Sequence, residues 1–203
     1  MKEYAARKAR LAAQLKAAAK EFVLDKDTSN LFRDRAPRAA QRLDVRDFHH
    51  VLRGDAAAIF RKYEELVEAT RRHGSMPAVV PQLQSITLGG AVAGVGVEAT
   101  SFRHGLVHDT VLEMEVLAGD GNIYVCSAAN EHRDLFFGFP NSYGTLGYAL
   151  RVRAKTIPVK KFVRIEHAGF REPVAFFAAL DDACASPVDF VEGVVFGAGE
   201  FYL

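Results

Sequence analysis

His104 and His108 stand four residues apart, the spacing at which two imidazoles on one helical face can hold a metal. Gly105 interrupts the pair, and no carboxylate and cysteine set surrounds it. The spacing therefore points to exposed or core histidines and to no metal site. His49, His50 and His132 are isolated in the same way. No serine sits in a Gly-x-Ser-x-Gly elbow, which removes the usual serine-hydrolase geometry. The acidic residues are scattered, and no pair marks an acid/base couple. No residue is assigned a catalytic role.

Gly94-Val95-Gly96-Val97-Glu98-Ala99 fits a Gly-x-Gly-x-x-Ala dinucleotide fingerprint. That fingerprint needs a strand before it and a helix after it. "TSFRHGLVHD" follows, without a helical apolar period, so a Rossmann unit is disfavoured. The glycines around it still have two physical uses. Lacking Cβ, they can let backbone N–H groups approach a phosphate, with Thr87, Thr100 and Ser101 adding hydroxyls. Alternatively, Gly89, Gly90, Gly94 and Gly96 only permit tight turns and bulges. Composition leaves both open.

The elements that must position this stretch are legible in part. Residues 3–22 are rich in helix formers, with Leu11, Leu15 and Phe22 as a narrow apolar stripe. The basic residues Arg7, Lys8, Arg10, Lys16 and Lys20 read as that helix's solvated face. "FVLD" reads as a strand, "KDTSNLFRDRAPRAA" as a loop broken by Pro37, and "QRLDVRDFHHVLRGD" as one or two strands. "AAIFRKYEELVEATRRHG" predicts an amphipathic helix with Ile59, Tyr63, Leu66 and Val67 on one side, stopped at Gly74. "VLEMEVLAGDGNIYVCS" predicts a hairpin around Gly-Asp-Gly. "NEHRDLFFGF" suggests a short helix and "GTLGYALRVRAKTIPV" a strand. "KKFVRIEHAGF" starts another strand, "REPVAFFAALDDACAS" is a helix, and "DFVEGVVFGAGEFYL" reads as a strand that simply stops. The class is α+β.

Bulk properties exclude several functions. The 203 residues are 49% hydrophobic and 25% charged, with net charge +1. That balance gives no case for nucleic acid or a membrane surface as partner. No apolar run is long enough for an integral membrane segment, and no secretory signal is evident. Cys126 and Cys184 lie far apart and read as reduced thiols in a cytoplasmic setting.

Specific strings carry more than composition. Pro81, then Thr87-x-Gly89-Gly90, then Gly105-Leu106-x-x-Asp109-x-Val111, leads into a strand and the Asp120-Gly121 turn. This pattern resembles the FAD-binding domain of the vanillyl-alcohol oxidase and p-cresol methylhydroxylase superfamily. "DLFFGFPNSYGTLGYALRVRAKTIPVKKFV" is similar to the family's closing segment. Within the superfamily, three strings look like the 24-dehydrocholesterol reductase branch and its bacterial FAD-dependent relatives. They are "TLGGAVAGVGVEATSFRHGL", "GTLGYALRVRAKTIPVKKFV" and "DFVEGVVF". The likeness is strong for Pro77 to Val163 and weaker for Lys20 to Gly54.

The resemblance implies a p-cresol-methylhydroxylase-type, two-subdomain FAD-binding domain followed by a truncated start of the substrate domain. The implied division is 1–75, 76–160 and 161–203. It carries over Pro81, Thr87, Gly89, Gly90, Gly94, Gly96, Glu98, Thr100, Ser101, Gly105, Asp109 and Val111 as cofactor-binding positions. Ser29 and Asn30, with Thr28, lie where the family has its first pyrophosphate loop. The histidine-bearing motif that tethers flavin covalently in some relatives is missing, which implies noncovalent FAD. In the reductase branch the implied reaction is reduction of a C=C bond in a sterol-like small molecule, with NADPH as donor. In oxidase branches it is oxidation of an alcohol or phenol.

Two departures carry expectations of their own. Gly54 to Ala58 leaves almost no room for the extra strand that relatives place before the helix at Tyr63. The chain stops at Leu203, so Val194, Val195, Phe196, Phe201 and Tyr202 are expected to lack partners within it. A homo-oligomer or a partner chain would then cover that edge. The alternative function is an inactive, truncated relative serving as a binding or assembly module. Tyr143 either faces the flavin or packs as an ordinary tyrosine.

Overall fold

The computed structural model describes residues 2–17, 22–25, 41–45, 48, 51–53, 57–58 and 62–203. The helix expected at the start is α1, Lys2–Ala17. Strands β1 (Phe22–Asp25) and β2 (Gln41–Asp44) form a parallel pair. Strands β3 (Val51–Arg53) and β4 (Ala57–Ala58) follow, then helix α2 (Tyr63–Arg71). Glu64 and Glu65 in its first turn and Arg71 in its last suit the helix dipole. Gly74 takes a φ of 69° just beyond it, as its stop signal predicts. Ile59 lies outside the described residues.

Next come β5 (Ser75–Pro77), α3 (Leu88–Ala93), α4 (Ser101–His104) and a 3-10 turn (Val107–Thr110). The hairpin is β6 (Val111–Leu117) and β7 (Ile123–Cys126), turning at Gly121 with a φ of 77°. Helix α5 (Arg133–Gly138) and strands β8 (Tyr148–Ala154) and β9 (Thr156–Pro158) complete this part. The chain then runs through β10 (Gly169–Phe170), α6 (Pro173–Ala185), β11 (Val194–Gly197) and β12 (Glu200–Tyr202).

The central sheet has the order β3-β4-β8-β6-β7, entirely antiparallel. Its two faces are covered by different cores, because side chains alternate along each strand. On one face Met114, Val116, Ala149 and Val152 pack with Tyr63, Leu66, Leu88, Ala91 and Val92 of α2 and α3. On the other, Leu117 and Leu150 pack with Leu11 and Leu15 of α1 and with Leu43, Val45 and Phe48. The glycine-bearing helix and the N-terminal helix therefore sit on opposite sides of one sheet.

Four expectations are corrected. Strand β4 exists between β3 and α2, pairing with both β3 and β8, so the short 54–58 segment does accommodate a strand. It needs only two residues because β8 supplies a ready ladder. The C-terminal "strand that stops" is a hairpin, β11 and β12, with β12 central in the order β10-β12-β11. Phe201 is consequently buried, against Phe176 of α6 at 5.4 Å between ring centroids. Residues 160–168 are irregular, and the strand expected there is confined to β10.

The fourth correction concerns the basic face of α1. Lys8 donates to Glu115 Oε2 at 2.7 Å, and Tyr4 Oη donates to the same oxygen at 2.8 Å. Arg151 Nε reaches Glu115 Oε1 at 2.9 Å. Glu115 is buried, and three donors compensate its removal from water. Lys8 thus fastens α1 to the sheet rather than facing solvent.

Candidate functional site

The glycine-rich stretch is not a set of sheet turns. It folds as α3, a bend, α4 and a 3-10 turn, all laid against the sheet. Thr87 starts α3: its backbone is extended, and its hydroxyl accepts the Gly90 N–H at 3.1 Å. Gly90 itself is exposed. A Cβ there would meet only Thr87 Oγ1, at 3.0 Å. Gly89 is half-buried, and a Cβ would rest on Ala149 of β8 at an ordinary 3.7 Å.

The later glycines answer to the protein's own packing. A Cβ on Gly94 would come within 3.1 Å of the Gly90 carbonyl, and one on Gly96 within 3.0 Å of Val107. Gly105 has a φ of 76°, and a Cβ there would lie 2.6 Å from Asp109 Oδ2. Asp109 needs that closeness because its carboxylate accepts the Leu106 N–H at 2.7 Å. So the turn reading accounts for Gly94, Gly96 and Gly105. At Gly89 an added Cβ would make only ordinary contacts, and at Gly90 it would meet only the capping hydroxyl of Thr87.

The other positions divide similarly. Thr100 is buried, and its hydroxyl donates to the Ala78 carbonyl at 2.7 Å. Ser101 Oγ accepts the Glu98 N–H at 2.9 Å. Glu98 accepts the Gln82 N–H at 3.2 Å. Burial raises the Glu98 carboxyl pKa, the Gln82 N–H lowers it, and the charge of Glu192 raises it again. Pro81 is buried and Val111 is a core residue of β6. Thr87, Gly89, Gly90, Gly94 and Gly96 are brought together on and around α3. Thr100, Ser101 and Glu98 form a second group around α4, and Asp109 stands beyond it. Thr28, Ser29 and Asn30 lie outside the described residues. Among the described residues no group of three potential metal ligands occurs.

One junction escaped the sequence reading. The only non-glycine residues with positive φ, among the described residues, are Val95 (58°), Asn141 (61°) and Tyr143 (49°). The Tyr143 N–H donates to the Ala93 carbonyl at 3.3 Å, so the 140–144 loop is fastened to the end of α3. For a β-branched valine such a φ is a true outlier, and strain of this kind concentrates at ligand sites. Ser142 Oγ, in the same loop, is buried without a hydrogen-bond partner among the described residues. Tyr143 is 53% exposed, so it is not an ordinary packed tyrosine. Only "PNSYG", with its Asn and Gly, hinted at this turn in the sequence.

Comparison with known proteins supplies the class. Residues 58–127 match the model of an FAD binding domain. The chain is 34% identical to a delta(24)-sterol reductase of Pisum sativum over 62% of its own length and 23% of the relative's. It is 29% identical to the Arabidopsis thaliana protein of that name, over 78% of this chain and 31% of the relative. It is also 30% identical to cytokinin dehydrogenase 7 of Oryza sativa, over 66% of this chain and 26% of that protein. These matches fit the vanillyl-alcohol oxidase and p-cresol methylhydroxylase superfamily and, within it, the delta(24)-sterol reductase-like branch. The aligned part spans less than a third of the length of these relatives. Among the described residues, no helix is long and apolar enough to cross a membrane.

Proposed function

We propose that this chain is a noncovalent FAD-binding unit of an oxidoreductase, with the cofactor held along α3, α4 and the 140–144 loop. The observation that carries the reading is the match of residues 58–127 to an FAD binding domain, a span that contains α3 and α4. The residues fit such a group. Gly90 is exposed, the Val95 and Tyr143 backbones are held in strained conformations, and Ser142 Oγ is a buried polar atom without a partner among the described residues. When bound, the flavin supplies hydride transfer, and the protein supplies position and electrostatics.

Thr87 would keep the start of α3 closed by holding the Gly90 N–H, leaving only the exposed Cα face of Gly90 to the ligand. Ser142 would donate its hydroxyl to the ligand. Ser29 and Asn30 would add contacts from the earlier loop. The division into 1–75, 76–160 and 161–203 belongs to this proposal. So does a sterol-like alkene substrate, by analogy with the names of the relatives, and NADPH as donor, which only the family resemblance implies.

The alternative reading is a catalytically inactive binding or assembly module. An absorbance spectrum after FAD addition and desalting tests the first reading. A retained flavin band is the expected result. A colourless chain that is folded by circular dichroism overturns it. With flavin retained, anaerobic bleaching by NADPH separates a working reductase from an inactive module.

A further inference from the structure

The turn carrying Glu98, Thr100 and Ser101 is held from two sides. From within, Thr100 donates to the Ala78 carbonyl. From without, it is held by residues that follow α6. Arg103 Nη2 donates to the Ser186 carbonyl at 3.0 Å and to the Val188 carbonyl at 2.8 Å. The Val191 N–H donates to the Ala99 carbonyl at 2.9 Å. Gln82 Nε2 donates to Glu192 Oε1 at 2.6 Å, while the Gln82 N–H holds Glu98. The seam therefore has four hydrogen bonds contributed by residues more than eighty positions away in sequence.

The chemistry of Arg103 suits the task. Helix α6 ends at Ala185, with Ser186 as its C-cap and Pro187 preventing continuation. Carbonyls at a helix C-terminus carry partial negative charge and lack intrahelical donors. The Arg103 guanidinium serves one such carbonyl, that of Ser186, together with the Val188 carbonyl just beyond the helix, from a fixed plane that an ammonium lacks.

We infer that residues 186–192 clamp the α4 turn, and that Arg103 is a positioning residue for FAD. It sets the turn's geometry without touching the cofactor. The inference rests on the FAD reading above. Its consequence is that flavin retention depends on the segment after α6, which contains none of the cofactor-binding positions.

The test compares the parent chain with Arg103→Ala, Arg103→Lys and Gln82→Ala. Amide exchange is read without FAD, and FAD affinity is read by quenching of flavin fluorescence. In Arg103→Ala, exchange should rise at Arg103, His104 and Gly105, whose amides close the turn onto Thr100 and Ser101. The β6–β7 amides should stay protected. FAD affinity should fall about tenfold, the scale of one charge-assisted hydrogen bond partly screened by solvent. Arg103→Lys should fall between, and Gln82→Ala should weaken FAD in the same direction. Unchanged exchange across 103–105 would show that no clamp exists. Raised exchange with FAD affinity within about twofold of the parent would show a structural seam that positions nothing. A parent chain that takes up no FAD overturns the functional reading and the positioning role with it, and exchange then decides the clamp alone.

Discussion

Tyr143 donates its backbone N–H to the carbonyl of Ala93, joining a loop after α5 to the end of a helix fifty residues earlier. The bond brings together three strained residues, Val95, Asn141 and Tyr143, and places in the same loop the Ser142 hydroxyl, which has no partner among the described residues. A strained position persists only when its surroundings over-determine it. Here the surroundings are the packed face of α3 against β8 and the bond to Ala93.

Gly90 and Gly96 separate a binding role from a packing role. Gly90→Leu places its side chain on an exposed surface, displacing only the Thr87 cap. The chain should stay folded and lose FAD retention after desalting. Gly96→Leu must enter the space filled by Val107 and should cost roughly 1–3 kcal/mol of stability through overpacking. Chemical denaturation and flavin absorbance on both variants check this. Flavin retention by Gly90→Leu equal to the parent's would remove α3 from the binding site.

Thr87→Ala removes the hydroxyl that accepts the Gly90 N–H. Loss of such a cap should cost about 1 kcal/mol. Thr87→Ser should restore most of it. Urea midpoints at unchanged slope are the measurement.

Glu115→Ala strips the shared acceptor from Tyr4, Lys8 and Arg151. Breaking a buried ion pair by deleting one partner should cost about 3–5 kcal/mol. The damage should appear first as detachment of α1, read as increased proteolysis within residues 2–17. FAD retention should follow the folded fraction only, because α1 lies on the sheet face opposite α3. A specific loss of FAD from the still-folded variant would contradict that separation.

Alkaline pH should destabilise the fold in a defined direction. Burial pushes the Tyr4, Tyr63 and Tyr148 hydroxyls above their ordinary value, and the Cys126 thiol up to about 11. Groups raised in the folded state stabilise it fully below their unfolded values, here about 9 to 10. That stability is lost as pH rises through and beyond 10. With no tryptophan in the chain, absorbance near 295 nm follows tyrosinate directly. Ionisation of these tyrosines should coincide with loss of far-UV circular dichroism. Ionisation of all six tyrosines, the three buried ones included, before any loss of structure would refute it.

The two cysteines should differ in reactivity. Cys126 is fully buried in the sheet, with its thiol held protonated. Cys184 is half-buried and lines an open groove of about 390 Å³ with Phe102, Arg103 and Pro187. A thiol reagent at neutral pH should label Cys184 on the native chain and Cys126 only in denaturant, as peptide mapping would show. Native labelling of Cys126 would mean that the sheet opens locally.

Much of this protein was legible residue by residue. The β6–β7 hairpin, α6, and α2 from Tyr63 to its Gly74 stop follow from local periodicity and turn chemistry, although Ala57 and Ala58, read as the start of that helix, form strand β4. The likeness to FAD-binding domains was carried by short strings around Thr87, Gly105 and Gly144. The α3 helix was hidden, because two adjacent glycines disfavour a helix that the β8 surface nonetheless selects. The hairpin of β11 and β12 was also hidden, since its Gly197-Ala198-Gly199 turn lacks the Asn or Asp that marks a hairpin in sequence.

By itself, then, the sequence determined which local elements can form. The tertiary structure decided what each polar group is for. Thr100 became a buried staple, Lys8 an anchor and Arg103 a bridge to the end of α6. Those roles depend on acceptors at Ala78, Glu115, Ser186 and Val188, three of them far along the chain. Such pairings have no local signature, because only the packing of distant elements fixes which donor meets which acceptor.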